Sequence, residues 1–179
     1  RGLYPPGSTI KPFMALAGLS SGLISPEFTI SDPGYFQLSN HTYRDWQKKG
    51  HGRVNMSKAI MQSCDTYFYT LASRIGISRM DTMLWSFGFG KPTNIDVTDE
   101  LSGLVPSPAW KKRVKGESWY PGDTVITGIG QGFTLVTPLQ LAHAVAGIAK
   151  RGKHFRPHLL LRSESSEGIV TTTELEALP

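Results

Sequence analysis

The stretch "YPPGSTIKP", Tyr4–Pro12, decides how the chain enters its first helix. The Pro-Pro-Gly sequence favours a turn, and the apolar residues that follow recur at helical spacing. This pattern predicts a helix that begins near Ser8, tolerates Pro12 in its first turn and ends near Gly22. Ser8 and Lys11 are three positions apart, so we expect both side chains on one face of that first turn.

A serine and a lysine placed in this way can form a nucleophile and its base. A serine hydroxyl is a poor nucleophile until a base takes its proton, and a lysine amine can take it only in its neutral form. The positive end of the helix would stabilise negative charge that develops near Ser8. The alternative is a turn that simply leads into a helix, because Ser-x-x-Lys is short enough to occur by chance.

Composition limits the classes of protein to consider. The 179 residues are 39% hydrophobic and 18% charged, which is typical of a globular domain with a core. A net charge of +5 would suit an acidic partner, but the basic residues form no long run. We interpret the densest cluster, Lys111–Lys112–Arg113 with Lys115, as a solvated loop and expect no nucleic-acid partner. Cys64 is the single cysteine, which excludes an intrachain disulfide.

Helices and short strands are predicted along the first half of the chain. The turn-rich residues 25–55 should hold short strands near Tyr35–Leu38. Asn55 and Asp65 are candidate N-caps of two successive helices, and Ser78 begins a third. The predicted inward positions are Phe68, Leu71, Ala72 and Ile75 in the second of these helices, and Met83, Leu84 and Phe87 in the third.

The second half combines one long irregular segment with one strong helix. Residues 89–136 are rich in Gly, Pro, Ser and Thr and predict a long folded excursion, which is usually functional. Thr137, Pro138 and Gln140 form a capping box with proline at the first helical position. The inward residues of this helix should be Leu141, Val145 and Ile148, with its end at Gly152. We expect a strand at His158–Arg162 and a polar tail after it.

Ser63-Cys64-Asp65 falls at the junction between two predicted helices. Such a junction can direct the side chains of Ser63 and Asp65 into a cleft. The alternative is that Asp65 only caps the second helix. Spacing alone favours the cap.

A family resemblance becomes specific when the longer blocks are read together. The chain contains, in order, the six blocks "YPPGSTIKPF", "DPGYFQL", "YRDWQKKGHGRVN", "SCDTYFY", "WYPGDTVITGIGQG" and "TPLQLAHAVAGIAKRG". Together they resemble the transpeptidase domain of class B penicillin-binding proteins, closest to the elongation type. The resemblance implies an α+β, serine transpeptidase-like fold, of which this chain holds mostly the helical part and an incomplete antiparallel sheet.

The resemblance also implies a reaction and its residues. Ser8 would attack a stem peptide that ends in D-Ala-D-Ala, and an amine of a second stem peptide would resolve the acyl-enzyme. Lys11 would be the base, Ser63 would shuttle a proton, and Asp65 would orient the lysine and the substrate. Beta-lactams would acylate Ser8 as substrate mimics. No organic cofactor is implied.

The third family motif, Lys-Thr/Ser-Gly, does not occur in the chain. We therefore expect residues 1–179 to be a partial transpeptidase domain, which begins just before Ser-x-x-Lys and ends before the third motif, and to be inactive alone. A membrane anchor would lie outside the chain. The implied location is the inner membrane, with the domain on its periplasmic face. The implied role is cell-wall synthesis that sets cell shape, with a membrane glycosyltransferase of the elongation machinery as partner.

Four further residues form a candidate zinc site. Asp32, Asp45, His51 and Cys64 are residue types that zinc accepts, although their spacing is irregular. Related elongation-type enzymes carry a structural zinc near the cleft, and the resemblance places these four residues at it. With four protein ligands the ion would have no open position for a catalytic water.

Two other functions stay open at this stage. A serine beta-lactamase or a beta-lactam sensor domain would share Ser-x-x-Lys and acylation, and fast hydrolysis of the acyl-enzyme would distinguish the lactamase. A non-catalytic cell-wall scaffold module would keep the fold without the chemistry. The joint presence of Ser8, Lys11, Ser63 and Asp65 argues against the scaffold.

Overall fold

The computed structural model describes residues 2–178 and is an α+β structure. A 3-10 helix, Gly7–Ile10, leads directly into the first α-helix. The helices in this range are α1 (Lys11–Ser20), α2 (Met56–Met61), α3 (Asp65–Ile75), α4 (Ile77–Ser86), α5 (Pro108–Lys115), α6 (Pro121–Thr127) and α7 (Pro138–Ala149). None of the described helices is both long and apolar enough to cross a membrane.

The strands are short and pair in antiparallel twos. They are β1 (Thr29–Asp32), β2 (Tyr35–Leu38), β3 (His41–Arg44), β4 (Gly52–Asn55), β5 (His154–Phe155), β6 (Arg162–Glu164), β7 (Val170–Thr172) and β8 (Ala177–Leu178). The pairs are β1 with β4, β2 with β3, β5 with β8 and β6 with β7. The predicted strand at Tyr35–Leu38 is therefore confirmed, and it forms a hairpin with His41–Arg44.

The chain divides into two compact units. The larger comprises Pro5–Leu84 and Val105–Thr134, and the smaller comprises residues 2–4, 85–104 and 135–178. Helices α1 and α3 pack together in the larger unit. Its fully buried side chains include Ile10, Phe13, Met14, Tyr67, Phe68 and Leu71. Full burial of each such side chain contributes roughly 1.5–3 kcal/mol to the free energy of unfolding, so the packing between α1 and α3 is strongly stabilised.

Helix α3 has the predicted inward face, but its predicted cap is wrong. Phe68, Leu71, Ala72 and Ile75 are all buried, and Gly76 ends the helix. The N-cap is Cys64, whose Sγ accepts the backbone N–H of Tyr67 at 3.4 Å. Asp65 is instead the first helical residue, so its carboxylate is available for a partner elsewhere. Asn55, by contrast, caps α2 as predicted by accepting the Lys58 N–H.

The segment predicted as one long excursion, residues 89–136, contains two helices. Ser107 caps α5, and the Asp123 carboxylate accepts the Tyr120 N–H at the start of α6. The basic cluster that was predicted to lie in a solvated loop, Lys111–Lys112–Arg113 with Lys115, therefore lies in helix α5. The first residue of the cluster, Lys111, is 3% exposed and bonds to Asp123 Oδ2 at 2.8 Å, and only the other basic residues face solvent. Short local caps outweighed the low helix propensity of the surrounding Gly and Pro.

Helices α4 and α7 differ from prediction in their buried faces. In α4 the buried residues are Ile77, Met80 and Leu84, whereas Met83 and Phe87 are half-buried. In α7 the predicted capping box at Thr137 and Gln140 is present. However, α7 buries Gln140, Ala144 and Gly147, and Val145 is 48% exposed.

The amide of Gln140 explains the orientation of α7. The side-chain nitrogen donates to the carbonyl oxygens of Lys91 and Ser102 at 2.8 and 2.7 Å, so the amide keeps its hydrogen bonds although Gln140 is buried.

The predicted strand at His158–Arg162 is also wrong. Residues 158–161 lie between β5 and β6, which begins at Arg162, and Asp96 accepts the N–H groups of Leu159 and Leu160 there.

Candidate active site

Ser8 lies exposed on the 3-10 helix at the entrance to α1. Gly7, just before it, has a φ of +56° and donates its N–H to the Gly130 carbonyl oxygen at 2.9 Å. A side chain at Gly130 would collide with the Gly7 backbone. The Gly-rich segment that follows α6 therefore passes against the serine turn and restrains its backbone.

Lys11 is the first residue of α1 and is buried, with 1% of its surface exposed. Its Nζ is 2.8 Å from the Ser63 carbonyl oxygen, 2.9 Å from Ser63 Oγ and 2.6 Å from Asp65 Oδ1. The ring of Phe68 lies 5.5 Å from Nζ. A lysine ammonium has three donors, and all three have an acceptor here. The lysine is thus held in one position by the helix junction.

Ser63 lies between α2 and α3 and has a left-handed backbone, with φ at +54°. Such a conformation is unfavourable for a residue with a side chain and is retained only where surrounding contacts enforce it. Its Oγ is 2.7 Å from Ser8 Oγ and 2.9 Å from Lys11 Nζ. The strained turn therefore places one hydroxyl between the candidate nucleophile and the candidate base.

Asp65 completes the group. Its carboxylate pairs with Lys11 at 2.6 Å, and the two side chains are 15% and 2% exposed. Water screens such a pair far less than a surface pair, so removal of one partner leaves a buried charge uncompensated. The sequence predicted all four residues, Ser8, Lys11, Ser63 and Asp65, and the larger unit brings them together.

The arrangement supports proton transfer from Ser8 to Lys11 through Ser63. The distance from Ser8 Oγ to Ser63 Oγ is 2.7 Å, and that from Ser63 Oγ to Lys11 Nζ is 2.9 Å. Both are hydrogen-bond distances. As an ammonium Lys11 donates all three of its hydrogen bonds, so it could accept the proton that Ser63 passes on only as the neutral amine, with its lone pair directed at Ser63 Oγ. The candidate role of Ser63 is therefore to relay this proton, which agrees with the proton shuttle that the family resemblance implies for it.

A second cluster of titratable residues adjoins the candidate catalytic group. Asp32, Asp45, His51 and Cys64 each offer one potential ligand atom, and these atoms lie within 4.8 Å of one another. Asp32, Asp45 and Cys64 are buried, and His51 has a side chain that is 5% exposed. Cys64 is the neighbour of both Ser63 and Asp65, so the cluster and the catalytic group share one turn of chain.

Backbone groups hold the ligand atoms of this cluster in place. The N–H of Gly34 donates to Asp32 Oδ1 at 2.7 Å, and the N–H of Thr66 donates to Asp45 Oδ2 at 2.9 Å. The other oxygens of the two carboxylates lie 2.7 and 3.5 Å from His51 Nδ1. Position 50, next to His51, requires a glycine, because a side chain there would collide with the Asp32 carbonyl oxygen.

The electrostatics of the cluster favour a cation. Burial, together with the nearby Asp32 and Asp45 carboxylates, raises the pKa of the Cys64 thiol. Burial opposes ionisation of Asp32, but hydrogen bonds from Gly34 and His51 help lower the pKa of its carboxyl. The cluster thus concentrates two carboxyl groups and a thiol with one imidazole, a donor set that a divalent ion would neutralise.

Trp46 is a residue of the site that sequence reasoning missed. It is 62% exposed, and its Nε1 donates to the carbonyl oxygens of Gln62 and Ser63 at 3.2 and 3.1 Å. Trp46 lies within the block "YRDWQKKGHGRVN", between two candidate metal ligands. That position is the only sequence signal that could have suggested a role near the site.

The chain is similar in sequence to characterised transpeptidases. It is 48% identical over 172 residues to the peptidoglycan D,D-transpeptidase MrdA of Salmonella typhimurium, which covers 95% of this chain. The matched region is 28% of the Salmonella protein, so the chain spans less than a third of that relative's length.

Comparison with solved structures also shows similarity to penicillin-binding proteins. The fold superposes on penicillin-binding protein PBP2 of Pseudomonas aeruginosa in complex with WCK 5153, with a TM-score of 0.85 and 49% identity. That match covers 89% of this chain and 37% of the Pseudomonas chain. It also superposes on the complex of PBP2 with MreC from Helicobacter pylori, with a TM-score of 0.87 and 38% identity over 98% of this chain and 31% of that one.

The family match extends over residues 1–179 and is described as "Penicillin binding protein transpeptidase domain". The α+β architecture predicted from the resemblance is confirmed by these structural neighbours. The chain belongs to the family of penicillin-binding protein transpeptidase domains.

Proposed function

We propose that the protein is a peptidoglycan D,D-transpeptidase that works through an acyl-enzyme on Ser8. One observation carries the proposal: Ser8 Oγ, Ser63 Oγ and Lys11 Nζ form a continuous chain at 2.7 and 2.9 Å, with Asp65 fixing the lysine at 2.6 Å. The family and the Salmonella relative support the same chemistry.

The proposed reaction has two steps, formation of the acyl-enzyme and its attack by an amine. Ser8 Oγ forms a bond to the carbonyl carbon of the penultimate D-alanine, and its proton moves through Ser63 to Lys11. The bond to the terminal D-alanine breaks, and that leaving amine takes a proton back along the same route. An amine of a second stem peptide then attacks the acyl-enzyme: the amide bond of the cross-link forms, the ester bond to Ser8 Oγ breaks, and a proton from the amine returns to Ser8 Oγ through Ser63 and Lys11.

The test compares the full-length wild-type protein with Ser8→Ala and with the matched control Ser57→Ala, an exposed serine on α2. Each protein is incubated with a fluorescent penicillin. We expect stable labelling of the wild type and the control and none of Ser8→Ala. Labelling of Ser8→Ala at the wild-type level would refute the assignment. Rapid loss of label through hydrolysis would favour a beta-lactamase instead.

We further propose that Asp32, Asp45, His51 and Cys64 bind a structural zinc ion. The buried carboxylates, imidazole and thiol within 4.8 Å of one another support this, as does the backbone support of both carboxylates. The Tyr67 N–H that bonds to Cys64 Sγ would stabilise a thiolate ligand. The ion would cross-link the β1–β4 region to the α2–α3 junction and so restrain Ser63 and Asp65.

Metal analysis of protein purified without chelators tests this proposal. We expect about one zinc per chain and its loss in Asp32→Asn and Cys64→Ser. Glu27→Gln, an exposed acid beside β1, is the matched control and should keep the metal. Wild-type protein that lacks metal but is acylated normally would contradict the proposal.

The partners and location that we propose follow from relatives. The Helicobacter pylori PBP2 has been solved in complex with MreC, and another structural neighbour belongs to a peptidoglycan synthase complex. By analogy, this protein would act at the periplasmic face of the inner membrane, on peptidoglycan stem peptides, with a glycosyltransferase of the elongation machinery. Pull-down of such a glycosyltransferase by the full-length protein would test the partnership.

A further inference from the structure

Lys111 is a buried lysine on α5 whose charge the proposed proton route does not use. Its side chain is 4% exposed, and its Nζ lies 2.8 Å from Asp123 Oδ2 in the first turn of α6. Nζ also faces two aromatic rings, at 4.7 Å from the centroid of Tyr120 and 5.6 Å from that of Phe133. Glu117 lies 3.6 Å away but is 62% exposed, so water screens its contribution. One ammonium group therefore contacts both the start of α6 and a residue beyond its end.

The glycine-rich segment 128–132 lies in the chain between those two contacts and packs tightly on both sides. A side chain at Gly128 would collide with the Phe68 carbonyl oxygen on α3, and one at Gly130 would collide with the Gly7 backbone. The Gly130 carbonyl oxygen also accepts the Gly7 N–H at 2.9 Å. Because the segment fills the space between α3 and the serine turn, a shift of the segment would move that turn.

Stability alone does not explain why a charge occupies this position. Removal of an ammonium from water costs free energy, and a buried ion pair often does no more than offset that cost. An apolar side chain of similar length would also fill the space between the two rings. The charge adds direction, because it favours a carboxylate on one side and the faces of aromatic rings on the other. Lys111 therefore selects one arrangement of α6 relative to Phe133.

We propose that Lys111 is a positioning residue that holds segment 128–132 against the serine turn and so keeps Ser8 aligned for acylation. The inference rests on the proposed acyl-enzyme chemistry of Ser8. The contacts of Lys111 restrain the chain on both sides of the segment, at Asp123 and at Phe133, so their loss lets the segment shift. A misplacement of about 1 Å can slow a reaction on the order of a hundredfold, so the expected effect is on the rate of the chemical step.

The experiment measures single-turnover acylation of the full-length protein by a fluorescent penicillin at increasing concentrations. It yields the limiting rate constant of acylation and the dissociation constant of the complex that precedes it. Wild type is compared with Lys111→Met and with the double variant Lys111→Met/Asp123→Asn, in which no largely buried carboxylate loses its partner. Lys112→Met, at the exposed neighbouring position on α5, is the matched control. Urea unfolding of the same samples gives the folded fraction of each protein.

We expect both Lys111 variants to lower the limiting rate constant on the order of tenfold, with the dissociation constant within about twofold of wild type. Lys112→Met should behave as wild type, and an equal loss in it would overturn the proposal. The double variant should regain stability that Lys111→Met loses, because no buried charge is left unpaired, without regaining the rate.

Recovery of the rate together with stability in the double variant would overturn the proposal and leave Lys111 with a role in stability alone. A wild-type rate constant in the folded fraction of both Lys111 variants would overturn it as well. A wild type that the penicillin does not acylate would instead refute the proposed function itself.

Discussion

Ser63→Ala is the substitution that tests most directly whether the Ser8 proton passes to Lys11 through Ser63. It removes the hydroxyl that lies 2.7 Å from Ser8 Oγ and 2.9 Å from Lys11 Nζ, and it leaves both of those residues in place. Positioned proton transfer typically contributes about 10²–10⁴ in rate, which corresponds to roughly 3–5 kcal/mol in the activation barrier. We therefore expect acylation by penicillin to slow by at least about a hundredfold.

The same substitution should have a small effect on folding. Alanine tolerates the left-handed backbone of Ser63 no worse than serine does, and Lys11 keeps the Ser63 carbonyl and Asp65 as acceptors. The two hydrogen bonds of the hydroxyl are lost, and each costs about 1 kcal/mol of unfolding free energy. Stopped-flow acylation and urea unfolding measure the two effects on the same samples. A rate loss of less than about threefold in a stably folded variant would show that Lys11 deprotonates Ser8 without Ser63.

Three other perturbations give separate expectations. Lys11→Ala should abolish penicillin labelling, whereas Lys49→Ala, an exposed lysine, should label normally; equal labelling would remove Lys11 from the mechanism. Gly130→Ala should slow acylation and lower the free energy of unfolding by more than about 1 kcal/mol, because φ is +71° and a Cβ would meet Gly7, and wild-type values would contradict this packing. Burial raises the pKa of Asp81 from 3.8 to about 7, and its Oδ1 has no hydrogen-bond partner among the described residues. The unfolded chain therefore releases this proton at lower pH than the folded chain, so wild-type stability should fall as pH rises from about 4 to about 7. Asp81→Asn should be more stable than wild type by up to about 2 kcal/mol at pH 8, and equal to it at pH 4, when compared by urea unfolding.

The candidate catalytic residues could be predicted because they fall in short, local patterns. Ser8 and Lys11 share one turn, and Ser63 and Asp65 share one helix junction, so each pair is set by its own stretch of sequence. The predicted caps at Asn55 and Thr137 were confirmed for the same reason. What joined the pairs was the resemblance of six ordered blocks, because no spacing rule connects residues more than fifty positions apart.

The errors arose where tertiary contacts outweigh local pattern. Cys64 caps α3 in place of Asp65, since the Asp65 carboxylate pairs with Lys11 from another helix. Helix α7 turns its Gln140 side inward because that amide finds two carbonyl partners far away in the sequence. Trp46 is joined to the candidate site by a hydrogen bond to the Ser63 carbonyl oxygen across 17 positions, which no periodicity reveals.

Identification of the acylated residue tests the central claim most directly. Full-length protein is treated with benzylpenicillin, digested, and mapped by tandem mass spectrometry. We predict one penicilloyl group per chain, located on Ser8 in the peptide that contains "YPPGSTIKP". A penicilloyl group on another residue, with Ser8 unmodified, would contradict the account.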